Sequence, residues 1–290
     1  MKKLGLATAL LLAMTGAQAY QVEVQGQSEF VDAKNANKNF TGAAAGTYYF
    51  KNVDSSKGPL AEAAFLNQAS NVSVAYNYGE FKSKNENRLA SQSYGVKGEA
   101  YIPTSVVPVY ASASYNHTHD DFKGSSKKDN GDRYALEVGA LVAPNFLVAV
   151  GYTSVNTQAS YDANSILANG VVKAAIESDA IGNKKDVVTA RTKYVGAIDG
   201  TNMSIGFDAG LVSGQNTAYN LGTTLYLNPA LSVGASYVET SAQDDAKAWG
   251  ANVNYFITPA VAVGVDYVNA TTNTSNKNAQ SVGVNAKFRF

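Results

Sequence analysis

The 290-residue chain has no cysteine, one tryptophan, six prolines, two histidines and no preponderance of either charge. Each shortage excludes something. Without cysteine there is no disulfide framework, which argues against a small stapled extracellular scaffold. A spanning helix needs about 20 apolar residues, and no run approaches that. The longest, Leu4 to Met14, follows the basic start Met1-Lys2-Lys3 and precedes Ala17-Gln18-Ala19, a small-residue cleavage pattern. That is the layout of a secretory leader, so residues 1–19 are expected to be removed and the mature chain, 20–290, to begin at Tyr20. Taking Lys2 and Lys3 from the 23 basic residues leaves 21 against 23 acidic ones, a net charge of −2, with no argument for nucleic acid. G-x-S-x-G, Walker and H-E-x-x-H patterns are absent, so neither an enzyme nor a cofactor is expected.

What is present is alternation. Trp249, Ala251, Val253, Tyr255 and Ile257 alternate with Ala248, Gly250, Asn252, Asn254 and Phe256. Val261, Val263, Val265 and Tyr267 alternate with Ala262, Gly264 and Asp266, and the closing SVGVNAKFRF places Val282, Val284, Ala286, Phe288 and Phe290 opposite Lys287 and Arg289. Period two is the mark of strands with two unlike faces. The second face is rich in Gly, Ser and Asn with scattered charges, which suits a wet lumen better than the outside of a sandwich. With 18 tyrosines and 25 glycines in an exported chain, this pattern predicts an all-β, transmembrane, antiparallel up-and-down barrel.

Turn chemistry supplies the frame. VAPNF, LNPAL and ITPAV each read as a three-residue turn that makes Val142 and Phe146, Leu227 and Leu231, and Ile257 and Val261 cross-strand neighbours. Asp199-Gly200 reads as a two-residue hairpin turn. Fourteen strands follow, at 21–31, 39–52, 70–81, 91–102, 107–117, 132–142, 145–155, 188–198, 201–212, 217–227, 230–240, 247–257, 260–270 and 281–290. Lengths near ten match a tilted spanning strand of about 9–11 residues. Tyr78, Tyr115, Tyr152, Tyr237 and Tyr267 fall at the tops of strands as an outer girdle, and Phe50, Phe146 and Phe290 mark the lower rim.

Two segments break the rhythm. Residues 156–188 form the longest outer loop and contain a helix-like stretch. Residues 54–69, DSSKGPLAEAAFLNQA, lie where turns should be short; Pro59 followed by an apolar helical face predicts one or two helical turns. Long connections are more often functional than idle. This one is expected to fold across or into the periplasmic mouth as a gate, with Leu60, Phe65 and Leu66 as the apolar contact.

Several stretches resemble the Acinetobacter putative-porin family, that of the 33–36 kDa outer-membrane protein. They include GPLAEAAFLNQAS, YGVKGEAY, NGDRYALE, PNFLVAVGYTSV, TARTKYVGAIDGTN, AWGANVNYFITPAVAVGV and the terminal NAKFRF. The resemblance runs from the leader to Phe290 and is weakest in the outer loops 82–90, 156–188 and 271–280. It implies an outer-membrane channel for small hydrophilic solutes, with members discussed as routes for antibiotic entry and as surface molecules contacting host cells.

The residues themselves set expectations for the lumen. Inward charges are Lys51, Lys97, Arg133, Arg191, Lys193, Lys287 and Arg289 against Glu23, Glu29, Glu99, Glu137, Asp208 and Asp266, a near balance that predicts weak ion selectivity. Fourteen strands tilted by about 40° give a backbone diameter on the order of 27 Å, which side chains and infolded loops must narrow. The two-residue turn would place Arg191 opposite Asp208 as a lumen ion pair, and closure of the first strand on the last would bring Glu23 to Lys287 or Arg289. NHTHDD, residues 116–121, gathers both histidines at a strand top without a carboxylate placed opposite, so it reads as solvated loop, neither catalytic nor metal-binding. KKDNGDR, residues 127–133, lacks the spacing of a calcium loop.

The reading is a monomeric porin of the bacterial outer membrane that passes small polar solutes and ions by diffusion. Its partners are membrane lipid and the barrel-assembly machinery, which would read the terminal aromatic. A substrate-specific channel, or a closed barrel acting as a surface adhesin, is the alternative. A hydrophobic-solute transporter with an N-terminal hatch is disfavoured, because the first strand starts within a few residues of Tyr20.

Overall fold

A computed structural model describes residues 19–33, 39–82, 88–123, 128–156, 161–181, 186–241, 246–272 and 278–290. The expected leader falls outside them but for Ala19, as do parts of the outer loops 82–90, 156–188 and 271–280. Fourteen strands form one closed antiparallel barrel in which each pairs with its neighbours in sequence and the last pairs with the first. They are β1 (Ala19–Ala33), β2 (Asn39–Asp54), β3 (Asn71–Lys82), β4 (Arg88–Ile102), β5 (Val109–Lys123), β6 (Lys128–Ala143), β7 (Phe146–Asn156), β8 (Asp186–Ala197), β9 (Ser204–Ser213), β10 (Thr217–Tyr226), β11 (Leu231–Thr240), β12 (Lys247–Thr258), β13 (Val261–Thr271) and β14 (Ala279–Arg289).

Alternation acts as the sequence implies. Val74, Leu136, Val150, Leu221, Val265 and Val284 lie on the outer face and are more than half exposed. Left in water, each such side chain would forgo about 1.5–3 kcal/mol, so the band requires lipid. Closure removes both sheet edges, which a lipid-facing sheet cannot leave unpaired. At the seam Glu23 lies opposite Arg289 and Phe30 opposite Val282. Below it, the N–H groups of Gln21 and Val22 both donate to Phe290 O, at 2.7 and 3.1 Å.

Of the three proline turns, LNPAL keeps the expected pair, with Leu227 N–H donating to Leu231 O at 2.9 Å. At VAPNF and ITPAV a local shift at the turn pairs Phe146 with Ala143 and Val261 with Thr258, in place of Val142 and Ile257, and the expected register resumes one residue on at Leu141–Leu147 and Phe256–Ala262. The Asp-Gly turn differs. Strands end at Ala197 and resume at Ser204, which face each other, and Ile198 N–H donates to Met203 O. Four residues, not two, form the loop, with Gly200 at φ +76°. An even change in loop length leaves every side chain on its face but slides the partner by two positions. Lys193 therefore faces Asp208, and Arg191 faces Gly210.

Several strands extend beyond their expected ends at the long-loop rim. NHTHDD is strand and not solvated loop, and it does have a carboxylate opposite: β5 and β6 continue together, with His117 and His119 meeting Asp132 and Asn130 across the pair at 2.7 and 2.6 Å.

Candidate functional site

The lumen is occupied from both ends, by two inserts built on different physical terms. The first follows β2. Gly58, at φ +131°, reverses the chain, and Pro59 leads into a 3-10 turn (Leu60–Glu62) and a short helix α1 (Ala63–Leu66). Leu60 packs on Phe256 and Ala262. Phe65 packs among Tyr110, Leu141, Leu147, Val195 and Tyr226, with Leu66 against the same cluster. All these wall residues stand on the inward face at the short-turn end, where alternation alone calls for polar groups. Fully burying Leu60 and Phe65 contributes on the order of 1.5–3 kcal/mol each. Backbone contacts tie the insert down: Leu60 N–H donates to Pro229 O at 2.8 Å, and Arg289 Nη1 donates to Leu60 O at 2.9 Å.

Its one acidic side chain is fully engaged. Glu62 takes Lys193 Nζ on one oxygen at 2.7 Å and the Tyr226 hydroxyl on the other at 2.7 Å. Lys193 also sits over the Phe65 ring, 5.1 Å from its centroid. Burial pushes the Glu62 carboxyl up, but Lys193, Tyr226 and Lys287 more than offset it and hold it below its ordinary value.

Around the insert the wall charges are paired. Arg289, almost fully buried, lies between the rings of Tyr20 and Phe256, 4.4 and 4.6 Å from their centroids, and donates to Glu23 at 2.8 Å. Lys287 meets the other oxygen of Glu23 at 3.1 Å. Arg191 reaches over β7 to Glu137, at 2.8–2.9 Å, and to the Tyr110 hydroxyl at 2.9 Å. Tyr110 donates in turn to Glu99 at 2.6 Å, which also holds Lys97 at 2.9 Å and Asn71 at 3.1 Å. The Arg191–Asp208 pair expected from a two-residue turn is thus replaced by Arg191–Glu137, a direct consequence of the longer loop. The seam contact holds, with Glu23 gripping both Lys287 and Arg289.

The second insert enters from the long-loop end as α2 (Ala163–Asn169) and α3 (Val171–Ile181). Asp162 caps α2 by accepting from Asn164 N–H at 2.9 Å and Ser165 N–H at 3.3 Å. The link is Gly170 at φ +81°, where an added Cβ would stand 3.2 Å from a Glu29 carboxylate oxygen. α2 rests on the β2–β4 wall, with Ser73 Oγ donating to Asn164 Oδ1 at 3.1 Å, and Ala163 N–H donates to Asn116 Oδ1 on the adjoining β5 at 3.0 Å. α3 rests on the far wall, β9–β12, and Ile176 packs on Val238, Ala248 and Val268. Together they cross the lumen.

This insert buries charge with less compensation. Lys173 donates to Ser236, and burial pushes its ammonium down despite Asp208, Asp266, Glu177 and Glu29 nearby. Glu177 accepts from Asn220 at 3.2 Å and from Ser165 at 3.4 Å; burial pushes its carboxyl up, with Arg133 pulling the other way.

Between the inserts lie two cavities of about 370 and 280 Å³ that share Ala61, Glu62 and Lys287. The larger runs up to Gly170, Lys173 and Asp266, and the smaller is ringed by Glu23, Lys97, Glu99, Arg191 and Lys193. Of the other expected lumen charges, Glu29 is buried beside Gly170, Arg133 is half-buried on the inward face of β6, and Lys51 is exposed at the short-turn rim. His117 lies 5.2 Å from Tyr94, ring to ring, on the outer face and away from the lumen. Glu62, Tyr110, Tyr226, Lys173 and Glu177 escape a reading by alternation. The only signal for their seats is its local failure, at apolar residues such as Phe256 and Val268 on the polar face.

A family model described as a putative general bacterial porin matches residues 1–290. The crystal structure of the Acinetobacter baumannii outer membrane protein Omp33 is 54% identical over 95% of this chain and 100% of that one, with a TM-score of 0.70. A monoaromatic hydrocarbon channel, CymD, is 9% identical over 93% of this chain and 89% of its own, TM-score 0.61. A Pseudomonas aeruginosa FadL homologue is 9% identical over 94% and 90%, TM-score 0.54. These last two share the fold. No curated protein matches.

Proposed function

From a chain that belongs to the putative general bacterial porins, non-enzymatic channel barrels of the bacterial outer membrane, we propose a passive diffusion channel for small hydrophilic solutes and ions, gated by residues 54–69. The observation that carries this reading is the chamber itself. It is polar, lined by paired charges, and bounded on its short-turn side by a segment that is not part of the wall. Short turns face the periplasm in barrels of this kind, so the gate is periplasmic. Leu60, Phe65 and Leu66 seat it and Glu62 latches it. The lumen charges named above line the path when it opens, and near balance of their signs keeps bulk selectivity weak.

The mature chain starts at Tyr20, whose ring covers Arg289, and works as a monomer in lipid. Phe290 at the rim serves the barrel-assembly machinery. The test is single-channel conductance of the refolded barrel with and without residues 59–66. Excision raises conductance if the segment gates; an unchanged trace removes the gate. One observation favours a second reading, a closed barrel acting through its outer loops: inserts fill the lumen from both ends. No conductance even after both inserts are removed would select it.

A further inference from the structure

The way Glu62 is held says something about what passes it. Its two oxygens are divided between an ammonium, Lys193, and a phenol hydroxyl, Tyr226, each at 2.7 Å, and neither partner belongs to the insert. Lys287 lines both cavities beside it. The wall therefore presents a carboxylate cradle on its own, and the insert supplies the carboxylate. The charge count around the smaller cavity agrees. Lys97, Arg191, Lys193, Lys287 and Arg289 face it, against the wall carboxylates Glu23 and Glu99, with Glu137 behind Arg191. With Glu62 withdrawn, five cations stand against these three anions and Asp208, which faces Lys193 from β9, and Lys193 loses the carboxylate it is in contact with. A charge left unpaired in a partly buried site is costly, so an open inner mouth attracts a replacement anion.

We infer that Lys193, Tyr226 and Lys287 form a binding site for the carboxylate of a small solute, which Glu62 fills as an internal mimic while the channel is closed. A carboxylate solute then competes with the latch and is the class of solute the inner mouth favours. This rests on the gating role of residues 54–69. The two ideas separate experimentally, because the chain lacks cysteine and accepts a single reporter. Ala61→Cys, half-buried at the chamber edge, is labelled with a maleimide in the refolded full-length barrel, in acetate or in chloride at equal ionic strength.

Acetate is expected to speed labelling about tenfold, the equivalent of one charge-assisted contact. Lys193→Met should abolish that acceleration, and Tyr226→Phe should weaken it. Glu62→Gln should label fast in either salt. Heat-dependent migration on a gel reports that each variant is a folded barrel. Equal rates in acetate and chloride overturn the site, as does an acceleration that survives both Lys193→Met and Tyr226→Phe. Conductance without residues 59–66 is measured in parallel. If it does not rise while labelling still answers to acetate, the gate falls and the carboxylate site stands.

Discussion

The two inserts block one lumen by different means. The inner one is short, lays Leu60 and Phe65 into apolar seats, and satisfies its single carboxylate with an ion pair and a hydroxyl. The outer one is longer and crosses the whole chamber, yet it carries Lys173 and Glu177 into burial with partners that leave both away from their ordinary titration. Apolar contact holds both in place; charge strengthens the first and weakens the second. An insert that pays for its buried charges opens more readily than one that is rewarded for them. If the inserts gate the channel as proposed, the inner segment is accordingly the tighter closure and the outer helices the looser one.

The sharpest way to break this contrast is to remove each insert in turn. Deleting residues 59–66 should give the larger rise in single-channel conductance, because the outer helices yield by themselves. Deleting 161–181 should give a smaller one, because the latch remains. The reverse order would invert the comparison. A smaller change, Glu62→Gln, removes the charge but keeps the shape, and the loss of about 1.4 kcal/mol should raise the open-to-closed ratio roughly tenfold in single-channel records.

Acid should act on the two in opposite directions. Docked Glu62 titrates below its ordinary 4.5, so its contribution is complete above that value and is lost as pH falls through the depressed docked value. Docked Glu177 titrates above its ordinary 4.5, so its contribution is complete in acid and is lost as pH rises through the raised value. Current through the barrel lacking 161–181 should therefore increase on acidification. Current through the barrel lacking 59–66 should decrease. The smallest effect is local: Gly170→Ala places a Cβ at φ +81° close to Glu29, and should loosen the outer helices by about 1 kcal/mol. Faster proteolysis within 161–181, with the inner insert unaffected, would register it.

Much of the barrel was readable in advance because lipid outside and water inside force a two-residue period on every strand. The proline turns set the register of the strands they join, although VAPNF and ITPAV slip by one residue at the turn itself, and the meeting of Glu23 with Lys287 and Arg289 followed from closure alone. The partner of Arg191 did not follow. A loop of four residues reads like one of two when it contains Asp-Gly, and nothing in the alternation distinguishes them, since both preserve the faces. The inner insert was legible through Pro59 and its apolar spacing, whereas Glu62 was not, because a single polar residue on a short helical turn normally faces water. The seats of the two inserts were legible only as irregularities: Phe256, which takes Leu60, and Val268, which takes Ile176, stand on the polar face of strands whose other inward residues are mostly small or polar.

Arg289 bears on how the barrel is made. It is the penultimate residue, and its guanidinium joins Glu23 on the first strand to the Leu60 carbonyl on the inner insert. Those three groups come from opposite ends of the chain and from the insert between. They meet only when β14 reaches β1, so one guanidinium spans both the seam and the inner insert. Until the seam closes, the insert lacks one of the donors that hold its backbone, and closing the cylinder and seating the insert are therefore coupled steps.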